Sequence, residues 1–372
     1  MNAEDRPTWL SVDLDAVAFN FHVAKTAVGD SCQIRPVIKA DAYGLGAIPV
    51  ARRLRQEGVG GFCVALVEEA VALREAGIQE SMVVMSGFSP ALTEKVVAYR
   101  LEPFLTRAEY GLAVSQRVSG STVVPVYLKV DTGMGRLGVP LDQAVAVYDS
   151  WTRFEGIHVV GVVSHLACAD DPDNPETDRQ IKRFASLVET LRQRNPDLVA
   201  SLSNSAGIMA HPGAHFDWVR PGVMLYGGSP LYPHTHWQAL GLRQTIHWVS
   251  HIVQIQNLSA GRSLGYGHTF TVQRVSRIAW ISVGYGDGYN RHLSNRGAVV
   301  VGGVRCPVVG RVCMDLIGVD VTDVPTACAG DPVALLGGDA PRMVALDEMA
   351  QWLDTLSYEV SCAIGQRVPR RY

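Results

Sequence analysis

No run of about 18 consecutive apolar residues, the length that spans a membrane, occurs in the 372 residues. The start (MNAEDRP) is polar and acidic, so it lacks the basic-then-apolar pattern of a secretory leader. Neither a membrane partner nor export is expected. There is also no basic tract: 33 Lys and Arg stand against 36 Asp and Glu, for a formal charge of -3. Without a positive stripe to neutralise phosphates, nucleic acid is not an expected partner. Cysteine is scarce. The seven residues Cys32, Cys63, Cys168, Cys306, Cys313, Cys328 and Cys362 are scattered and odd in number, without CxxC spacing. That argues against a disulfide framework and predicts reduced thiols in a cytoplasmic protein. Cys313, though it lies among more telling residues, reads as a small packing residue. His234 and His236 have no carboxylate or cysteine nearby to complete a metal set, so no metal is expected.

What the sequence does contain is ordinary core material, 47% hydrophobic against 19% charged, in a chain long enough for two domains. Eight short apolar runs recur at 35–40, 61–66, 82–86, 102–106, 124–130, 159–165, 199–204 and 219–226. Amphipathic stretches lie between them, at 47–57, 67–76, 90–99, 141–151 and 178–194. In the last, Ile181, Phe184, Leu187, Val188 and Leu191 share one helical face. Near-continuous hydrophobic runs are the mark of parallel strands covered on both sides. Eight such units predict an α/β fold, a (β/α)8 TIM-type barrel over residues 1–237, with its site at the carboxyl ends of the strands. A doubly wound open sheet is the runner-up. The glycines at 58, 60 and 61 precede a strand instead of following one, so they make no dinucleotide fingerprint. Beyond about residue 240 the texture turns to alternating Val, Ile and polar residues, predicting a mostly β domain over 238–372 with one helical segment near 345–356. A first strand at about 8–14 is expected to pack with that second domain.

Several residues invite a chemical reading beside an ordinary one. Lys39 closes an apolar run, where desolvation would lower its pKa into the range an imine-forming amine needs; it could equally snorkel to the strand end. Arg136, after the glycine-rich turn DTGMGRLG at 131–138, presents a planar fork suited to a carboxylate, or makes a surface ion pair. His165 ends another apolar run and reads as a core histidine or a site residue. Asn204 and Ser205 precede a helix start, fit either for a phosphate or for a simple cap. Tyr266 stands between glycines, as many hairpin residues do.

The string VIKADAYGLG at 37–46 resembles the cofactor-lysine motif of the alanine racemases, and the resemblance continues in order to residue 358. It implies that Lys39 carries pyridoxal 5'-phosphate, that Tyr43, Asn204, Ser205, Gly222, Val223 and Tyr358 contact the cofactor, and that His165 lies near its ring. Arg136 would hold the substrate carboxylate, with Lys129 as a position that the family often carbamylates. Arg220, in WVRPGV, would face the pyridine nitrogen. An arginine can only donate there, so it weakens the ring as an electron sink and suppresses side reactions such as transamination. A decarboxylase on the same fold would need an acidic residue instead. A non-catalytic cofactor-binding barrel would lack the second domain.

Inverting a carbon needs an acid/base on each face. The segment SLGYGHTF around Tyr266 resembles the one bearing the family's catalytic tyrosine, opposite Lys39. GYGDGY with Tyr285, and GRVCMD with Met314 and Asp315, resemble segments that line the substrate side. The resemblance implies interconversion of L-alanine and D-alanine, a peptidoglycan precursor. It further implies a head-to-tail homodimer in which Tyr266, Tyr285, Met314 and Asp315 complete the partner's site. A serine or broad-specificity racemase is the alternative, separated by pocket residues such as Leu356 and Tyr358, of which the tyrosine favours alanine.

Overall fold

The computed structural model describes residues 7–338 and 341–372. Six segments lie side by side as parallel strands in chain order: Gly61–Leu66, Ser81–Gly87, Glu102–Leu105, Val124–Asp131, Ile157–Val163 and Val199–Ser201. Their residues are buried almost throughout because helices cover one side and the strands' own side chains fill the other. Gln33–Ile34 and Trp218–Val219 pair with each other, also in parallel. Backbone hydrogen bonds cross both remaining seams: Cys63 N donates to Pro36 O (2.8 Å) and Ile38 N to Cys63 O (2.9 Å). On the other side Asp217 N donates to Ala200 O (3.2 Å) and Arg220 N to Ser203 O (3.1 Å). Eight strands therefore close into the barrel that the sequence predicts.

Two strand ends differ from expectation. The first run stops short of Lys39, which opens the helical turn Lys39–Tyr43 instead of closing a strand. The eighth is extended only at Trp218–Val219. Pro221 has no N–H for a ladder, and Val223–Tyr226 winds into a 3-10 turn. A helix at Ala108–Ser115, absent from the sequence reading, fills the fourth crossover. Helix Pro175–Arg192 begins on Asn174, whose side chain accepts from Glu176 N (3.0 Å), with proline at its first position. It buries Phe184, Leu187, Val188 and Leu191, while Ile181 is only partly covered.

The second body is a sheet in the order Val304–Pro307, Ala298–Val301, Pro332–Leu336, Ile246–Leu258, Trp9–Val12, Arg370–Arg371. Ser276–Ile281 joins the far half of the long strand Ile246–Leu258, and Ile317–Asp320 pairs with Ser276–Ile281. Trp9–Val12 runs antiparallel to Ile246–Leu258, from Trp9 opposite Val249 to Val12 opposite Ile246. The chain then crosses to the barrel through helix Leu14–Val28, capped by Asp13, which accepts from Ala16 N (2.8 Å). The helical segment expected near 345–356 is Leu346–Leu353, and a second helix, Ser357–Ala363, follows it. Asp354, at φ 53°, breaks the first by turning left-handed. Among the described residues no helix is long and apolar enough to cross a membrane.

Candidate active site

A cavity of about 120 Å³ opens at the carboxyl ends of the barrel strands. Lys39, Lys129, Arg136, His165 and Arg220 all line it, and its described lining residues include no Asp or Glu. Such a concentration of positive charge fits a ligand carrying carboxylate or phosphate groups. An adjoining cavity of about 390 Å³ shares Met134 and His165 with the first and is lined by Asn204 and Tyr358.

Burial and like charge set the protonation states. Burial, and then the Arg136 guanidinium, hold the Lys39 amine below its ordinary value, with Glu69 acting in the opposite direction. Lys129, only 8% exposed, is held well below the usual lysine range by burial and by Arg220 and Arg136. His165 is likewise held far down, by burial and then by Lys129, Arg220, Arg136 and Lys39. Arg220, 3% exposed, is brought down by burial to about 10 and so stays protonated at neutral pH. Its guanidinium donates to Ser201 Oγ, Ser164 O (2.7 Å) and Leu202 O (3.0 Å), and lies 5.5 Å from the Trp218 ring centre.

A second cluster forms beside Tyr358. The Tyr43 ring packs 5.8 Å from that of Tyr358 and 4.8 Å from that of Tyr226. Gly222 N donates to Ser205 Oγ (2.8 Å). A Cβ on Gly222 would sit 2.5 Å from the Tyr43 hydroxyl, so only glycine leaves this cradle open. Val223 follows at the start of the 3-10 turn, and Asn204 Oδ1 accepts from Gly207 N (3.0 Å). Hydroxyls, a backbone amide and a glycine-sized gap beside a cavity lined by Arg136 and Arg220 fit a phosphorylated cofactor, and the Lys39 amine fits one that bears an aldehyde.

The turn carrying Lys39 is unusual in itself. Ala40, Asp41, Ala42 and Tyr43 all have φ between 51° and 57°, and none is glycine. Each such residue costs roughly 1–2 kcal/mol, so the surroundings must hold it. Ala47 N donates to Asp41 Oδ1 (2.7 Å), and from the far end of the chain Arg370 Nε donates to Gly44 O (3.0 Å).

The structure also supplies partners that the sequence reading missed. Asp131 Oδ1 accepts from Gly133 N (2.9 Å), Met134 N (2.9 Å) and Gly135 N (3.2 Å), folding the turn that carries Arg136. Burial raises the Asp131 pKa, but these bonds outweigh it and hold the carboxyl low. Gln180 Nε2 donates to His165 O (3.0 Å) and Thr132 Oγ1 (3.2 Å), and Thr132 meets Ser164 at 2.8 Å. Gln180 left one legible trace, an amide on the apolar face of a helix.

Tyr266, Tyr285, Met314 and Asp315 line neither cavity. They belong to the β body, where Tyr285 N donates to Cys313 O (3.0 Å) and Gly286 N to Met314 O (2.9 Å). Asp315 pairs with Arg367 (2.7 Å). In the single chain Tyr266 is 71% and Met314 53% exposed.

Residues 12–230 match the alanine racemase N-terminal domain and residues 245–372 the alanine racemase C-terminal domain. The chain belongs to the alanine racemase family. It is an amino-acid racemase, an isomerase. The alanine racemase of Halothermothrix orenii is 39% identical over 99% of this chain and 97% of its own length. That of Symbiobacterium thermophilum is 40% identical over 99% and 97%. Among solved structures, the biosynthetic alanine racemase of Pseudomonas aeruginosa matches with a TM-score of 0.90 at 35% identity, covering 99% of each chain. The alanine racemase of E. faecalis matches with a TM-score of 0.92 at 32% identity, covering 99% of this chain and 98% of that one. These alanine racemase structures share the arrangement of a barrel followed by a mostly β domain.

Proposed function

We propose that this chain interconverts L-alanine and D-alanine in the cytoplasm with pyridoxal 5'-phosphate as cofactor, by proton transfer from two faces. The observation that carries the reading is the Lys39 amine, held below its usual pKa in one cavity with Arg136 and Arg220. What the cofactor supplies when bound is a conjugated ring that spreads the charge left on the α-carbon. Lys39 holds it covalently, and Tyr43, Ser205, Gly222 and Val223 receive its phosphate, with Asn204 and Tyr358 at the edge. Arg220 donates toward the ring nitrogen. Because the guanidinium keeps its protons, it would leave the ring nitrogen unprotonated and so weaken the ring as an electron sink.

Arg136 grips the substrate carboxylate, oriented by a carbamate on Lys129. The neutral amine favoured at that buried position is the form that captures carbon dioxide. Lys39 Nζ then moves the α-proton on one face. Tyr266 Oη moves it on the other, reaching in from a second copy of the chain together with Tyr285, Met314 and Asp315. The exposure of Tyr266 and Met314 in the single chain supports a head-to-tail homodimer that covers them.

Purified protein given L-alanine and pyridoxal 5'-phosphate should produce a nearly equal mixture of enantiomers on chiral chromatography, with L-serine turned over more slowly. Tyr266→Phe should slow the reaction at least about 100-fold while the visible cofactor absorbance remains. Full cofactor loading with no D-alanine formed would defeat the reading.

A further inference from the structure

The left-handed turn after Lys39 is tied down along most of its length by its own neighbours. Gly46 N donates to Asp41 O (2.8 Å), and the Tyr43 ring is packed between other aromatics. Its first N–H goes elsewhere. Ala40 N donates to Glu69 Oε1 (2.7 Å), a residue 29 positions later in helix Val67–Glu75. The other oxygen, Glu69 Oε2, accepts from Ala65 N (2.7 Å) and Leu66 N (3.0 Å), at the end of the neighbouring barrel strand. The last two bonds are what a glutamate in the first turn of a helix ordinarily makes. The bond to Ala40 serves no helix. It joins a strand end to a backbone turn that residues with a Cβ rarely adopt. Glu69 is also the carboxylate whose charge favours protonated Lys39 against burial and Arg136.

We propose that Glu69 is a positioning residue of the racemase site: its carboxylate locks the turn Ala40–Tyr43 in the left-handed form and so aims the Lys39 amine into the cavity. The inference rests on the reading of Lys39 as the cofactor-bearing residue. Release of Ala40 would let the turn relax toward right-handed backbone and carry Nζ away from its place, and small displacements of a reacting group are costly in rate.

The test uses the full chain loaded with pyridoxal 5'-phosphate, comparing wild type with Glu69→Gln, Glu68→Gln as an exposed neighbour, and Lys39→Ala. Gln at 69 keeps one acceptor but sets an amide N–H against a backbone donor. We expect kcat for alanine to fall about tenfold or more, with KM changed less than about threefold. The pH at which the visible band titrates should move down, because an anion favouring the protonated nitrogen is gone. Glu68→Gln should change none of these. In cofactor-free protein the Ala40 amide should exchange hydrogen faster in Glu69→Gln. Glycine adopts left-handed backbone freely, so adding Ala40→Gly to Glu69→Gln should recover part of the lost kcat. Should Glu69→Gln fail to fold, Glu69→Asp, one methylene shorter, enters the same comparison. A variant that melts earlier but keeps wild-type kcat and band titration, with no gain from Ala40→Gly, would overturn the proposal and leave a helix cap. If the visible band instead persists in Lys39→Ala, the reading of Lys39 falls, whatever Glu69 does.

Discussion

A histidine among cations resists a second proton. His165 titrates far below an unfolded histidine, through burial and then the charges of Lys129, Arg220, Arg136 and Lys39. Between the folded value and about 6.5 the unfolded chain binds a proton that the folded chain refuses, so stability rises with pH there. The contribution is present above about 6.5 and is lost as pH falls toward the folded value. Thermal melts from pH 7.5 to 5.5 should show the wild type losing up to about 1.4 kcal/mol per pH unit from this residue. His165→Gln should flatten that slope, and parallel slopes would remove His165 as the cause. At this scale Lys39, Lys129, Arg136, His165 and Arg220 were legible by type and motif as residues of interest, and they line one cavity, whereas Tyr266, Tyr285, Met314 and Asp315 do not join them in the single chain. Gln180 and Glu69 were not legible. They act through backbone groups of distant segments, and sequence order does not reveal which amide a side chain will meet.

Among the elements, the strand Ile157–Val163 depends on a glycine that the pattern of apolar runs does not explain. A Cβ on Gly161 would collide with the Val199 carbonyl of the next strand and stand 2.9 Å from a Tyr127 ring atom. Neither neighbour can yield, because both are fixed by the barrel ladder. Gly161→Ala should lower unfolding free energy by about 1–3 kcal/mol in denaturant titrations; a change below about 0.5 kcal/mol would mean the strands can part there. The strands themselves were readable because burial on both faces writes a continuous apolar run. Their ends were not. The halt before Lys39 depends on a turn held by Glu69 and Arg370, and of Ala40–Tyr43 only Asp41 is of a type that tolerates left-handed backbone. Helix Ala108–Ser115 was passed over because only Gly111 and Val114 of its residues are buried, too few to write a periodic stripe.

For the molecule as a whole, the two groups of site residues lie on different bodies, and Tyr266 is open to solvent in one chain. If sites form between copies, the inactive variants Lys39→Ala and Tyr266→Phe should complement each other. Half of randomly paired dimers are then mixed, each with one intact site, giving about a quarter of wild-type activity per chain. Co-expression followed by chiral assay reads this directly, and no recovered activity would place both groups in one chain. The two-body architecture was visible as a change of texture near residue 240, whereas the pairing of Trp9–Val12 with Ile246–Leu258 rests on partners more than 230 positions apart. Arg370 shows what such separations entail. It donates to Gly44 O, 326 positions earlier, and to the carbonyls of Ile364, Gly365 and Val368. The segment bearing Lys39 leaves the ribosome well before the residue that braces it, since 326 positions separate Gly44 from Arg370. A nascent chain short of Arg370 therefore carries an unfinished site, and maturation of the lysine's surroundings waits for the synthesis of Arg370, not for the folding of the barrel alone.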